Sequence, residues 1–193
     1  PSWLSDKGLK IHGSNLCTEI FLPTSEKRTA VCCLSSLNLE YFDHWNTNEQ
    51  FIPDVMEFLD NVLQYFIDNA PNSVERARYS ALRERSIGIG ALGFHAYLQS
   101  KRIPIESVLA KSINYRMFSH IKEECARGDE ILCEKRGPCP DAKDAGIPRR
   151  FSHWNAVARM LSSSLIHGRN IAIDRTDPCE YLSSGHTFRC SYY

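Results

Sequence analysis

The order of apolar and polar positions divides the chain into an extended first part, a helical middle and a tail without a period. From Lys10 to Leu39, short apolar stretches alternate with turn signals at Gly13-Ser14 and Pro23-Thr24-Ser25, and the run Thr29 to Leu34 favours strand. Residues 51 to 69 carry Ile52, Val55, Leu59, Val62 and Phe66 at helical spacing, with Pro53 where a first turn tolerates it and Asn69-Ala70-Pro71 as a stop. An amphipathic helix is expected there. Residues 73 to 100 predict a second helical stretch, charged early through Glu75, Arg76, Arg78, Arg83, Glu84 and Arg85, then apolar and glycine-bearing from Ile87 to Leu98. A third helix is expected from about Ile105 to Lys135, with Leu109, Ile113, Met117, Ile121 and Cys125 on one stripe and Gly137-Pro138 at its end. Residues 136 to 153 read as a basic loop in which Lys143, Arg149 and Arg150 are solvated rather than gathered at an anion site. After Ser162-Ser163-Ser164 neither strand nor helix period persists, and the tail is expected to be irregular.

Composition narrows the classes. The 193 residues are 42% hydrophobic and 24% charged, enough apolar content for one ordinary core or two small ones. Because 23 Lys+Arg balance 23 Asp+Glu, no global positive field draws nucleic acid or anionic lipid, and any anionic ligand must be held locally. The apolar runs are too short to span a membrane, and Pro1-Ser2-Trp3 begins no signal-peptide core, so the expectation is a cytoplasmic protein without membrane or nucleic-acid partners. The absence of an initiator Met adds the expectation that residue 1 lies inside a longer ancestor. Eight cysteines without C-x-x-C, and without His at zinc-finger distance, are expected to be reduced thiols with no metal site.

Two motifs carry possible chemistry. Gly88-Ile89-Gly90-Ala91-Leu92-Gly93 fits G-x-G-x-x-G, but a dinucleotide fingerprint follows a buried strand, whereas an Arg/Glu-rich helical stretch precedes it here; close helix packing is the expected use of these glycines. Ser14-Asn15-Leu16-Cys17-Thr18-Glu19-Ile20 is sharper. In an extended chain Asn15, Cys17 and Glu19 share one face, with alternate positions about 7 Å apart. A thiol can lose a proton or a hydrogen atom, a carboxylate can accept a proton from a hydroxyl, and an amide can orient that hydroxyl. The same pattern also suits a half-buried strand in which Cys17 is a small filler. Cys32-Cys33 follows in a strand-forming run, close enough in sequence for one thiol to return beside the first segment, or for both to be core residues.

Gly13-Ser14-Asn15-Leu16-Cys17-Thr18-Glu19-Ile20, Leu22-Pro23-Thr24, Ala30-Val31-Cys32-Cys33-Leu34-Ser35-Ser36-Leu37-Asn38-Leu39, Arg85-Ser86-Ile87-Gly88-Ile89-Gly90 and Ser152-His153-Trp154-Asn155-Ala156-Val157-Ala158 occur in an order that resembles the catalytic barrel of the large subunit of class I ribonucleotide reductase. The resemblance covers residues 1 to about 166 and leaves 167 to 193 as a divergent tail. It implies an α/β fold, part of a ten-stranded α/β barrel with several long helices. It also implies that Cys17 becomes a thiyl radical and removes the 3′ hydrogen of a ribonucleoside diphosphate, that Glu19 takes the 3′-hydroxyl proton, and that Asn15 bonds to substrate hydroxyls. Cys32 would be the downstream member of the redox-active thiol pair, Cys33 would face away from it, and Ser14, Leu16, Ser162 and Ser163 would contact substrate.

The same resemblance implies partners. No cofactor belongs to this chain: the radical would come from a metal-containing small subunit, and the electrons from thioredoxin or glutaredoxin. The remaining part of the large subunit would supply the upstream redox cysteine, the allosteric regions and the radical relay, so the chain alone is not expected to turn over. An adenosylcobalamin-dependent reductase fragment and a non-catalytic remnant are the alternatives. One departure stands out, because the family's Ala-Pro-x-Ala-Ser-Ser-Ser is here Ala158-Arg159-Met160-Leu161-Ser162-Ser163-Ser164. Codon degeneracy permits residues 159 to 161 and about 167 to 193 to be frameshifted translation, an expectation that the underlying DNA tests.

Overall fold

The computed structural model describes residues 3–4, 8–15 and 17–157; Leu16, Ser162, Ser163, the altered segment from Arg159 and the divergent tail lie outside the described residues. The chain forms β1 (Cys33–Asn38), a 3-10 turn (Leu39–Tyr41), α1 (Phe42–Trp45), α2 (Phe51–Asn69), a second 3-10 turn (Asn72–Val74) and α3 (Glu75–Glu84). It continues through β2 (Ile87–Leu92), α4 (Phe94–Ser100), α5 (Val108–Arg136) and α6 (Pro140–Asp144).

Strands β1 and β2 pair in parallel, from Cys33 opposite Ile87 to Asn38 opposite Leu92, with α2 and α3 in the connection between them. On the other side of β2 a third piece of chain runs parallel. The Ile87 and Ile89 N–H groups donate to the His153 and Trp154 carbonyls at 3.0 and 2.7 Å, and Ala156 N–H returns a bond to Ile89 O at 3.2 Å. Strand β2 is therefore central, and a central parallel strand is covered on both faces, which is why all six of its residues are buried. Two strands and one bridged segment make an open portion of a parallel α/β sheet; the expectation is part of a ten-stranded barrel, and among the described residues no barrel closes.

The two faces of this sheet differ. Cys33 and Leu37 of β1 and Ile87, Ile89 and Ala91 of β2 join the main core with Ile52, Met56 and Leu59 of α2 and Ile113, Met117 and Ile121 of α5. The opposite face carries Leu34 and Ser36 opposite Gly88 and Gly90. A Cβ at Gly88 would stand 2.3 Å from Leu34 Cδ2 and 2.7 Å from Ala156 Cβ, and one at Gly90 would stand 2.6 Å from Ala156 O. The G-x-G-x-x-G stretch is thus the interior of a strand, not a helix and not a phosphate-binding turn. The sequence reading of 73 to 100 as one helical stretch is corrected to helix, strand, helix, because an all-buried strand has no alternation to betray it. Only Gly93, with φ +78°, serves a turn, as it starts α4.

The long helices stand where the periodicity puts them, with their faces adjusted. In α2 the buried positions are Ile52, Pro53, Met56, Leu59, Asp60, Leu63 and Ile67, so the expected Val55, Val62 and Phe66 give way to neighbours one position on, and Val62 is exposed. In α5 Ala110 replaces Leu109 on the buried stripe, Leu109 being 56% exposed. Ser107 caps α5 by accepting from Ala110 N–H at 3.1 Å, and Gly137 ends it. Helices α2 and α5 cross closely at Gly128, where a Cβ would meet Met56 Sδ at 2.7 Å.

A buried carboxylate ties these pieces together. Asp60 of α2 has no solvent exposure and accepts from Arg85 Nη2 at 2.7 Å, Arg136 Nη1 at 2.6 Å and Arg150 Nη2 at 3.0 Å. Burial alone would raise its pKa, but Arg85 and Arg150 outweigh that and leave it below the ordinary carboxylate value. The expectation that Arg149 and Arg150 are solvated is therefore corrected: Arg150 is buried on Asp60, while Arg149 stacks 3.7 Å above the Trp154 ring and bonds Asp129 at 3.3 Å. The loop reading of 136 to 153 likewise omits α6. That helix is anchored by Asp141, which receives Arg28 at 2.7 Å and Arg83 at 2.5 Å; Arg83 also pairs with Asp144. Arg28 also reaches Glu84 at 3.1 Å, yet burial drives the Glu84 carboxyl up to about 7 despite that partner.

Three consequences are measurable. Asp60→Ala leaves three arginines without their common partner and lowers unfolding free energy by about 3–5 kcal/mol in urea titration. Gly88→Val forces β2 away from Leu34 and Ala156 and costs about 1–3 kcal/mol by the same assay. Because Glu84 binds its proton more tightly folded than unfolded, its contribution is greatest at low pH and is lost as pH rises from 4.5 to about 7. The stability difference, wild type minus Glu84→Gln, should fall across that interval, and a flat difference would remove this account.

Candidate functional site

The described residues around Cys17 form a turn, not an extended strand. Thr18 N–H donates to the Asn15 carbonyl at 3.1 Å, Thr18 takes φ +59°, and Asn15 Oδ1 accepts from Ile20 N–H at 3.4 Å. The asparagine thus closes a turn with both its backbone and its side chain, a local bonding choice that competes with strand pairing. The expected strand alternation of Asn15, Cys17 and Glu19 is replaced by this turn, with Cys17 exposed near its apex and Glu19 half-buried after it. Ile20 and Leu22 then enter the protein and pack with Ala156 and Cys32.

A cavity of about 580 Å³ opens beside that cluster, lined by Ser14, Asn15, Ile20, Leu22, Cys32 and Leu34, with His12, Thr24 and Thr29 as further polar groups. The cavity joins the turn to the start of β1. Cys32 stands just before the strand on the face carrying Leu34, whereas Cys33 packs into the helix-covered core, as alternation requires. The two adjacent thiols therefore occupy opposite sides of the sheet.

The Cys32 sulfur makes two polar contacts. Ser86 Oγ–H donates to it at 3.4 Å, and its own S–H approaches the Cys33 carbonyl at 3.8 Å. Burial pushes the Cys32 thiol up to about 12; the Ser86 hydrogen bond opposes this, and Cys33, Glu19 and Glu84 add to it. At neutral pH the group is a thiol. Glu19 stands close enough for its charge to act on that sulfur, and its Oε2 is buried with no hydrogen-bond partner among the described residues. A buried oxygen in that condition is costly and marks a place where a donor can bind.

The structure therefore brings Ser14, Asn15 and Cys32 to one cavity and Glu19 to the neighbourhood of the Cys32 sulfur. Among the described residues Cys17 and Glu19 are not part of the cavity lining, and Leu16, Ser162 and Ser163 lie outside the described residues. The sequence reading missed Ser86 and Glu84, because a serine and a glutamate at the junction of a helix and a strand carry no spacing signal. Among the described residues no group of three or more His, Cys, Asp or Glu is placed to hold a metal ion, and no helix is long and apolar enough to cross a membrane.

Comparison with known proteins gives this arrangement a context. The family described as "Ribonucleotide reductase, barrel domain" matches residues 2–177. The ribonucleoside-diphosphate reductase large subunit of Invertebrate iridescent virus 3 is 55% identical over 168 residues, which are 87% of this chain and 26% of that protein. The large subunit of Invertebrate iridescent virus 6 is 51% identical over 152 residues, 79% of this chain and 16% of that protein. Among solved structures, the Actinobacillus ureae class Id ribonucleotide reductase alpha subunit superposes with a TM-score of 0.84 at 36% identity, covering 90% of this chain and 34% of that one. The chain thus spans about a quarter of the length of the first of these relatives. A family match over nearly the whole chain, joined to the parallel sheet and the turn-and-thiol cavity, places it plainly: the chain belongs to the ribonucleotide reductase barrel-domain family.

Proposed function

We propose that this chain is part of the catalytic barrel of a ribonucleoside-diphosphate reductase large subunit, acting in the cytoplasm with the remainder of that subunit and a metal-containing small subunit that supplies the radical. Cys17 removes the 3′ hydrogen of a ribonucleoside diphosphate as a thiyl radical, Glu19 accepts the 3′-hydroxyl proton, water leaves from C2′, and Cys32 provides one of the two reducing thiols. Thioredoxin or glutaredoxin then restores the pair. Ser14 and Leu16, with Ser162 and Ser163, contact the substrate.

The observation that carries this reading is the meeting of Asn15 and Cys32 at one cavity, with the Glu19 carboxylate near the sulfur. Each group suits its task. Asn15 Oδ1 is already engaged by Ile20 N–H, so its Nδ2–H donors are what it can offer a substrate hydroxyl. Glu19 has a buried oxygen without a donor, which a substrate hydroxyl would satisfy before giving up its proton. Cys32 is held as a thiol at neutral pH, the form that a reductant must hold at rest. The exposed position of Cys17 on a turn suits a group that receives a radical from outside the described fold.

The test combines the chain with the remainder of a large subunit and a radical-bearing small subunit and measures deoxynucleotide formation. Cys17→Ser should reduce turnover by about a thousandfold or more. Cys32→Ser should abolish multiple turnover with thioredoxin as reductant while leaving the fold intact by circular dichroism. Full activity of Cys17→Ser would overturn the proposal.

A further inference from the structure

Ser86 stands at the junction where α3 ends and β2 begins, fully buried, in a position no catalytic role has claimed. The residue before it, Arg85, is held in the left-handed region at φ +45° by its bonds to Asp60 and Gln64. The residue after it, Ile87, starts β2 and bonds the His153 carbonyl at 3.0 Å. The backbone on both sides is thus fixed, and the Ser86 side chain has little freedom. Its hydroxyl meets the Cys32 sulfur at 3.4 Å, across 54 positions of sequence. Gly88 borders the same sulfur: a Cβ there would lie in ordinary contact with it at 3.6 Å, while colliding with Leu34 and Ala156.

The surroundings make this contact consequential. Among the causes acting on the Cys32 thiol, burial, Cys33, Glu19 and Glu84 all disfavour a negative sulfur, and the Ser86 hydrogen bond favours it. A hydroxyl that donates to sulfur stabilises a thiolate more than a thiol, because a bond to a charged acceptor is the stronger one. We propose that Ser86 is a positioning residue for Cys32, turning the sulfur toward the cavity and donating the hydrogen bond that supports it whenever it carries negative charge. The catalytic meaning rests on the redox role given to Cys32 above; the contact itself does not.

The experiment measures alkylation of Cys32 by iodoacetamide in the 193-residue chain, resolved from the other cysteines by peptide mass spectrometry. The Cys32 thiolate forms the S–C bond as iodide leaves, so at fixed pH the rate follows the thiolate fraction. Ser86→Ala should slow Cys32 by roughly three- to tenfold and move its pH profile upward. Cys139, buried elsewhere, should keep its rate, and Ser86→Thr, which retains the hydroxyl, should restore the wild-type profile. Unchanged Cys32 rates in Ser86→Ala, an equal change at Cys139, or a Ser86→Thr profile matching that of Ser86→Ala would overturn the proposal. Native circular dichroism of each variant separates a lost contact from a lost fold. Full multiple turnover by Cys32→Ser in the reconstituted reductase would overturn the redox role alone, while the alkylation rates would still report on the contact.

Discussion

The buried carboxylate of Asp60 is the constraint that orders the rest of the fold. A charge without solvent exposure survives only if its partners arrive with it, and those partners come from three distant places: Arg85 before β2, Arg136 at the end of α5, and Arg150 before the segment that pairs with β2. Burying Asp60 therefore fixes where two adjacent pieces of sheet begin. The left-handed backbone of Arg85 is costly for a residue with a side chain, and its guanidinium bonds supply the compensation. Ser86 follows immediately, so the same ion cluster that ends α3 aims a hydroxyl at the sulfur of Cys32.

The glycines complete that placement. Gly88 and Gly90 let the 152–156 segment and β1 approach β2 more closely than any side chain would permit. The face they leave is shallow, and Cys32 and Leu34 project over it beside a cavity, while Cys33 on the other face sinks into the helix-covered core. Two consecutive cysteines thus acquire different chemistry from strand geometry alone. Burial raises both thiols, but only Cys32 receives the Ser86 hydrogen bond and feels Glu19 and Glu84.

The elements legible in the sequence were those whose pattern reports local geometry. Helices α2 and α5 announced themselves through period, Pro53 and Gly137; α2 buries Met56, Leu63 and Ile67 one position on from Val55, Val62 and Phe66, because side-chain spacing tolerates that much rotation, while α5 buries its whole expected stripe except Leu109. Strand β2 is hidden in the sequence because Ile-Gly-Ile-Gly-Ala-Leu, buried on both sides, contains no alternation and follows a charged helix after two residues. The fate of Arg150 was equally hidden: nothing near it in sequence reveals that Asp60, 90 positions earlier, is its partner. In the site, the resemblance pointed to Asn15, Cys17, Glu19 and Cys32; the fold puts Asn15 and Cys32 at one cavity with Glu19 near the Cys32 sulfur, and leaves Cys17 exposed outside that lining. The route differs, because Asn15 closes a turn where an alternating strand was expected.

The electrostatics of that neighbourhood have a direction. Burial and two carboxylates make a negative sulfur at Cys32 unfavourable, so the thiol is well held and is a poor nucleophile until something approaches it. In the redox role proposed for Cys32, staying protonated while radical chemistry proceeds nearby protects the sulfur, since a thiolate is open to oxidants and electrophiles. In that same proposed role the cost appears when a disulfide is opened and an electron pair returns to the sulfur, which must then bear charge in a site built against it. Ser86 is the hydrogen-bond donor that offsets this cost, and its position between Arg85 and β2 means that the offset is set by the fold rather than by the substrate.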